Sequence, residues 1–139
     1  MIRALIFAAT LAFTSQAHAN SFNGLWRTPV DGGGLIRIAQ CGQAFCGEVV
    51  DSPRLRENPD QRDVRNTNEA LRNRRLMGLR IIEARSTRPN ELNDGWVYNP
   101  EDGNTYHGSI RLLPDGRLRV TGCAIWPLCR NQIWTRVSE

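Results

Sequence analysis

From Gly24 onward, apolar and polar positions alternate far more often than they repeat at helical spacing. Ile36 and Ile38 flank Arg37, and Leu118 and Val120 alternate with Arg117, Arg119 and Thr121. Tyr106, Ile110 and Leu112 share a face opposite Thr105, His107, Ser109 and Arg111. Turn formers punctuate these runs: Asp31-Gly32-Gly33-Gly34, Pro100-Glu101-Asp102-Gly103 and Pro114-Asp115-Gly116. The pattern predicts eight strands, near residues 22–29, 35–41, 46–51, 78–85, 95–99, 104–113, 117–123 and 129–137. Short antiparallel strands with tight turns make a sandwich or a barrel, so the expected class is all-β. Residues 52–77 show no strand period and form a long, partly helical excursion, with Asn66 or Thr67 capping a short helix through Glu69-Ala70-Leu71-Arg72. Such an excursion is a lid or binding loop, or else an ordered crossover covering one end of the barrel.

The start of the chain has a different pattern. Arg3 is followed by an apolar or small stretch from Ala4 to Phe13, and then by Ala17-His18-Ala19. Charge, apolar core and small-x-small site in that order read as a secretory signal peptide, cleaved after Ala19. The stretch is about half the roughly 20 apolar residues a membrane span needs. The expectation is therefore a signal peptide at 1–19 and a single domain at 20–139, exported to the periplasm or secreted, with no transmembrane segment in the mature chain.

Charge adds one feature. All 18 basic residues are arginine, and removing Arg3 leaves 17 against 14 acids, a net +3. Ten of these arginines and five acids lie between Arg54 and Arg88, a local excess of +5. Basic patches attract nucleic acid, but export removes that partner. Guanidinium groups bind phosphate and carboxylate bidentately, so an anionic envelope component, lipid or glycan suits this segment better. The plainer reading is a solvated, arginine-biased surface.

Four cysteines remain: Cys41, Cys46, Cys123 and Cys129. An even number in an exported chain reads as disulfides. Loop entropy favours long cross-links, about 4.5 kcal/mol against about 2 for a short ring. Geometry favours local pairs, because residues flanking a hairpin end face each other at bridgeable distance. The expected pairs are Cys41–Cys46 and Cys123–Cys129. A four-thiolate zinc site is the alternative, but the spacing is wide for one and the compartment is oxidising.

Two further marks bear on the fold. Gly24-Leu25-Trp26 opens the first strand and Trp134-Thr135-Arg136 closes the last. A G-x-W with a terminal arginine resembles the lipocalin-type signature, in which arginine stacks on the tryptophan and closes the barrel, a contact worth about 0.5–2 kcal/mol. Trp26 and Arg136 are that pair here. The wider order of motifs resembles the bacterial family DUF 2147. Its marks are Gly24-Leu25-Trp26, the hairpin from Cys41 to Gly47, Asp63-Val64-Arg65-Asn66, and Leu71-Arg72-Asn73-Arg74 running to Gly78-Leu79. They continue with Tyr98-Asn99-Pro100-Glu101-Asp102-Gly103 through Gly108, Gly122-Cys123, and Cys129-Arg130-Asn131-Gln132-Ile133-Trp134-Thr135-Arg136. Asn104 stands where a lysine is common, and Arg75 where a proline is common. The resemblance implies an exported lipocalin-like barrel of eight strands and no particular activity.

No catalytic constellation stands out. His107 is the one histidine after the signal segment, and alternation places it opposite Tyr106, facing outward. Asp63, Asn66 and Asn68 carry oxygen donors, but not at EF-hand spacing. No metal, cofactor or enzymatic activity is expected. The expected function is a binding module, likewise monomeric, for a small, largely apolar or anionic ligand. Trp96 and Tyr106 are its apolar walls, and Arg72 or Arg74 the anion partner at the mouth. The alternative is a non-catalytic interaction or structural protein of the envelope that uses the arginine-rich face.

Overall fold

Eight antiparallel strands pair in sequence order, and the last returns to the first to close a barrel. The computed structural model describes residues 21–30 and 32–138, so the signal segment expected at 1–19 lies outside them. The strands are β1 Gly24–Arg27, β2 Leu35–Cys41, β3 Ala44–Asp51, β4 Arg80–Arg88, β5 Glu91–Asn99, β6 Asn104–Leu112, β7 Leu118–Ile125 and β8 Leu128–Ser138. Closure is by β1 on β8, with Trp26 opposite Arg136.

Two strands differ most from the expected bounds, while the others agree to within two residues at each end. β5 begins four residues early, at Glu91, and β4 runs on to Arg88. Ser86-Thr87-Arg88 is polar on both faces, and in Glu91-Leu92-Asn93-Asp94 only Leu92 is apolar, which hides the period. Pro89-Asn90 joins the two strands as a two-residue turn, with Asn90 at φ 62°. Proline before a residue of positive φ is ordinary turn chemistry.

The two ends of the barrel are built differently. At one end the interior is solid. Trp26, Ile38, Ile82, Leu92, Ile110 and Leu118 are all under 2 % exposed. Phe22 caps this end and meets the Phe45 ring edge-on at 5.4 Å. Arg136 lies over the Trp26 ring at 4.2 Å. Its guanidinium also donates to the carbonyl of Asn23 at 2.7 Å and to that of Ser21. The indole of Trp26 in turn donates to the Phe22 carbonyl. Arginine, tryptophan and the incoming chain thus form one plug. The β2–β3 hairpin lies at this end and carries the Cys41–Cys46 disulfide. The Cys123–Cys129 disulfide staples the β7–β8 hairpin at the other end.

The excursion from Ser52 to Gly78 crosses the outside of the barrel. It holds two short helical turns. One is α1, Pro53–Glu57, where Ser52 accepts from the Leu55 amide and proline takes the first turn. The other is a single 3-10 turn, Glu69–Leu71, capped by Asn68. The expected caps Asn66 and Thr67 are engaged elsewhere. Asn66 donates its amide to Asp63, and Thr67 donates its hydroxyl to the Gly103 carbonyl. An Arg62–Arg75 bridge folds the segment back on itself.

Candidate functional site

At the open end the interior residues are small or modest in size, and a cavity of about 1080 Å³ remains. That is at the upper end of the usual range for ligand sites, roughly 300–1,000 Å³. Ile36, Val49, Val97, Val120 and Trp134 line its apolar body, and Gly122 and Ala124 leave room on β7. The rim is made by four connections: Thr28 and Val30 after β1, Asp51 to Arg54 after β3, Asn99 to Asp102 after β5, and the Ala124–Leu128 hairpin tip.

Tyr106 lines the cavity, as alternation placed it. Its hydroxyl donates to Asp102. That hydrogen bond, with some burial, raises the phenol above its ordinary value and keeps it neutral. Trp96 is not in the lining. The register sets Val97 opposite Tyr106 and Trp96 opposite His107, so Trp96 is one residue out of phase and faces outward. Its ring packs half-buried on the outer side of the wall. His107 is exposed on that face.

Arg72 and Arg74 do not reach the mouth either. Arg72 donates Nε to the Asn66 carbonyl at 2.8 Å and lies near Glu69. Arg74 donates to Asp63 at 2.9 Å and stands over the Tyr98 ring at 5.7 Å. Neither arginine lines the cavity, and both hold the excursion together. The same holds for most of the arginine-rich segment. Arg54, Arg56, Arg62, Arg65, Arg75 and Arg80 also bond carbonyls or carboxylates within the chain, making eight of the ten.

Asp63 is the centre of this anchor. Its side chain is fully buried and accepts from Tyr98 Oη, Asn66 Nδ2 and Arg74. Hydrogen-bond donors surround the carboxylate, so it serves as an acceptor hub and not as a cation ligand. Tyr98 points out of the barrel here while its neighbour Val97 points in. Burial, and then the bond to Asp63, push the Tyr98 phenol well above its ordinary range.

The folded state favours neutral Tyr98, so its contribution is complete below about pH 10, where an unfolded tyrosine titrates, and declines above that. Urea midpoints measured from about pH 9 to 11.5 are expected to fall, and Tyr98→Phe to remove part of that slope. Tyr106 supplies a residual slope. An unchanged slope in Tyr98→Phe would refute the assignment.

One rim residue escaped the sequence reading. Arg130 on β8 lines the cavity and is exposed. Among the described residues it makes no ion pair. The described acids of the rim are engaged: Asp51 with Arg56, Glu101 with Arg54 and Arg65, and Asp102 with Tyr106. The signal was present in the sequence. Counting back by twos from the inward Trp134 puts Gln132 and Arg130 on the inner face.

The comparisons with known proteins agree with this architecture. A family model described as an uncharacterized protein conserved in bacteria, DUF2147, matches residues 24–136. A solved structure from Helicobacter pylori, described as belonging to the lipocalin family, superposes with a TM-score of 0.75 at 20 % identity. The match covers 86 % of this chain and 84 % of that one. No curated protein matches the chain.

Proposed function

We propose, for a chain that belongs to the DUF2147 family of uncharacterized bacterial proteins, that it is an exported, non-catalytic binding module for a small, largely apolar molecule with an anionic head. The observation that carries this reading is the cavity. It has a volume of about 1080 Å³ with an apolar body, closed at one end by a packed core, and at the other stands Arg130, which makes no ion pair among the described residues. An eight-stranded barrel has room for one such ligand. The apolar chain lies along Ile36, Val49, Val97 and Val120, and the head reaches Arg130. Two disulfides support an oxidising compartment, and with it export.

Arg130 is solvent-exposed, so its hydrogen bond to a carboxylate is worth the low end of the charge-assisted range. Titration of the delipidated protein with a medium-chain fatty acid is expected to be saturable at one site, with Trp134 emission changing as the cavity fills. Arg130→Gln is expected to weaken the acid about tenfold and to leave the matching alcohol unaffected. Failure of both acid and alcohol to bind would overturn the reading.

A further inference from the structure

The β7–β8 hairpin ends in the most exposed apolar cluster of the described chain. Ile125, Trp126 and Leu128 are 71 %, 80 % and 72 % exposed. The hairpin also stands clear of its neighbours. The last pair of β7 with β6 is Cys123 with His107. On the other side, β8 meets β1 only from Thr135 onward. The tip is therefore a free two-stranded projection, and the Cys123–Cys129 disulfide braces it at its base. Ala124 and Leu128 belong both to the tip and to the cavity rim, so the exposed apolar surface runs continuously into the chamber. Val30, 46 % exposed, stands on the same rim.

We propose that the Ile125–Leu128 tip is a membrane-docking element, which enters the interfacial layer of a lipid bilayer and sets the cavity mouth against it. Three features favour a bilayer over a protein partner. The tip is convex, and its three side chains offer on the order of 400 Å², about half of the ~800 Å² each partner of a stable protein pair buries. Tryptophan beside aliphatic side chains suits the boundary between headgroups and acyl chains. Finally, the described rim acids are already engaged, while Arg130, paired in register with Gly122 two residues below Leu128 and without an ion pair among the described residues, faces the lipid phosphates. Docking needs no molecule in the cavity, so it stands or falls separately from ligand binding.

The test is co-sedimentation of the disulfide-bonded protein with phosphatidylcholine vesicles, alone and doped with phosphatidylglycerol. Wild type is expected to bind both. Trp126→Ala is expected to lose about tenfold or more in partitioning, the equivalent of one buried aromatic face. Phosphatidylcholine brominated on its acyl chains is expected to quench wild-type tryptophan emission. Trp126→Phe should still sediment but lose that quenching. The brominated-lipid measurement on wild type decides the matter even where an alanine variant folds poorly. Three results overturn the proposal: no sedimentation with either vesicle, binding indifferent to Trp126→Ala, or binding only to phosphatidylglycerol at low salt. Self-association abolished by Trp126→Ala in a protein that ignores vesicles overturns it in favour of a protein interface.

Discussion

Asp63→Ala is expected to destabilise the protein by about 3 kcal/mol, the range for losing one member of a buried hydrogen-bonded charge pair. In a domain of this size that is roughly 10 °C in Tm. The carboxylate accepts from three side chains at once. Arg74 is 39 % exposed at its side chain and recovers water when the partner goes, which keeps the cost below that of a fully buried pair. Tyr98 has no such recourse, because it is 4 % exposed. A cycle with Tyr98→Phe should therefore show coupling of about 1–2 kcal/mol. Additive effects in urea denaturation would mean that the Tyr98–Asp63 bond contributes nothing to the fold.

Gly103→Ala is expected to cost about 3 kcal/mol as well, through backbone contact and not charge. Gly103 has φ +75°, and a Cβ there would sit 1.8 Å from the Arg65 carbonyl oxygen and 2.6 Å from its carbon. Both atoms are backbone, so the turn after β5 must part from the excursion. With that separation go two bonds to the Gly103 carbonyl, from the Thr67 amide and hydroxyl, each at 3.0 Å. Gly116 is the internal control. Its φ is +84°, with nothing within 4 Å of an added Cβ. Gly116→Ala should show only the left-handed backbone cost of about 1–2 kcal/mol. If the two variants unfold at the same urea concentration, the excursion is not seated through Gly103. Hydrogen exchange at the Thr67 amide should rise in Gly103→Ala alone.

The barrel was legible because most strands have one wet face, and alternation marks such strands. It blurred where both faces are alike. Gly95-Trp96-Val97-Tyr98 is apolar or small at every position, since the excursion covers the outside while the cavity occupies the inside. Period two then carries no phase, and choosing Trp96 over Val97 as the wall residue follows from that. The first half of β5 failed for the opposite reason: Leu92 is its single large apolar residue, and one apolar position among Glu91, Asn93 and Asp94 shows no period. Tyr106 was legible because Thr105 and His107 flank it.

The anchor was not legible. Asp63 and Tyr98 lie 35 residues apart, and nothing local announces that a carboxylate in a polar segment will be fully buried. A count of arginines likewise reveals the charge of a segment and not where its guanidinium groups point. Eight of those ten satisfy carbonyls and carboxylates, seven of them in a stretch without regular strands, a use that composition cannot separate from an anion-binding face.

Val97 and Tyr98 are adjacent and both border the chamber, yet Tyr98 also seats the excursion through its bond to Asp63. The partition between inside and outside is a single strand thick at this point. Asp63 and Arg74, neither of which lines the chamber, brace this strand from behind, as a strut sets a drumhead. A change at Asp63 or Arg74 thus acts on the wall of the chamber without replacing any residue that lines it.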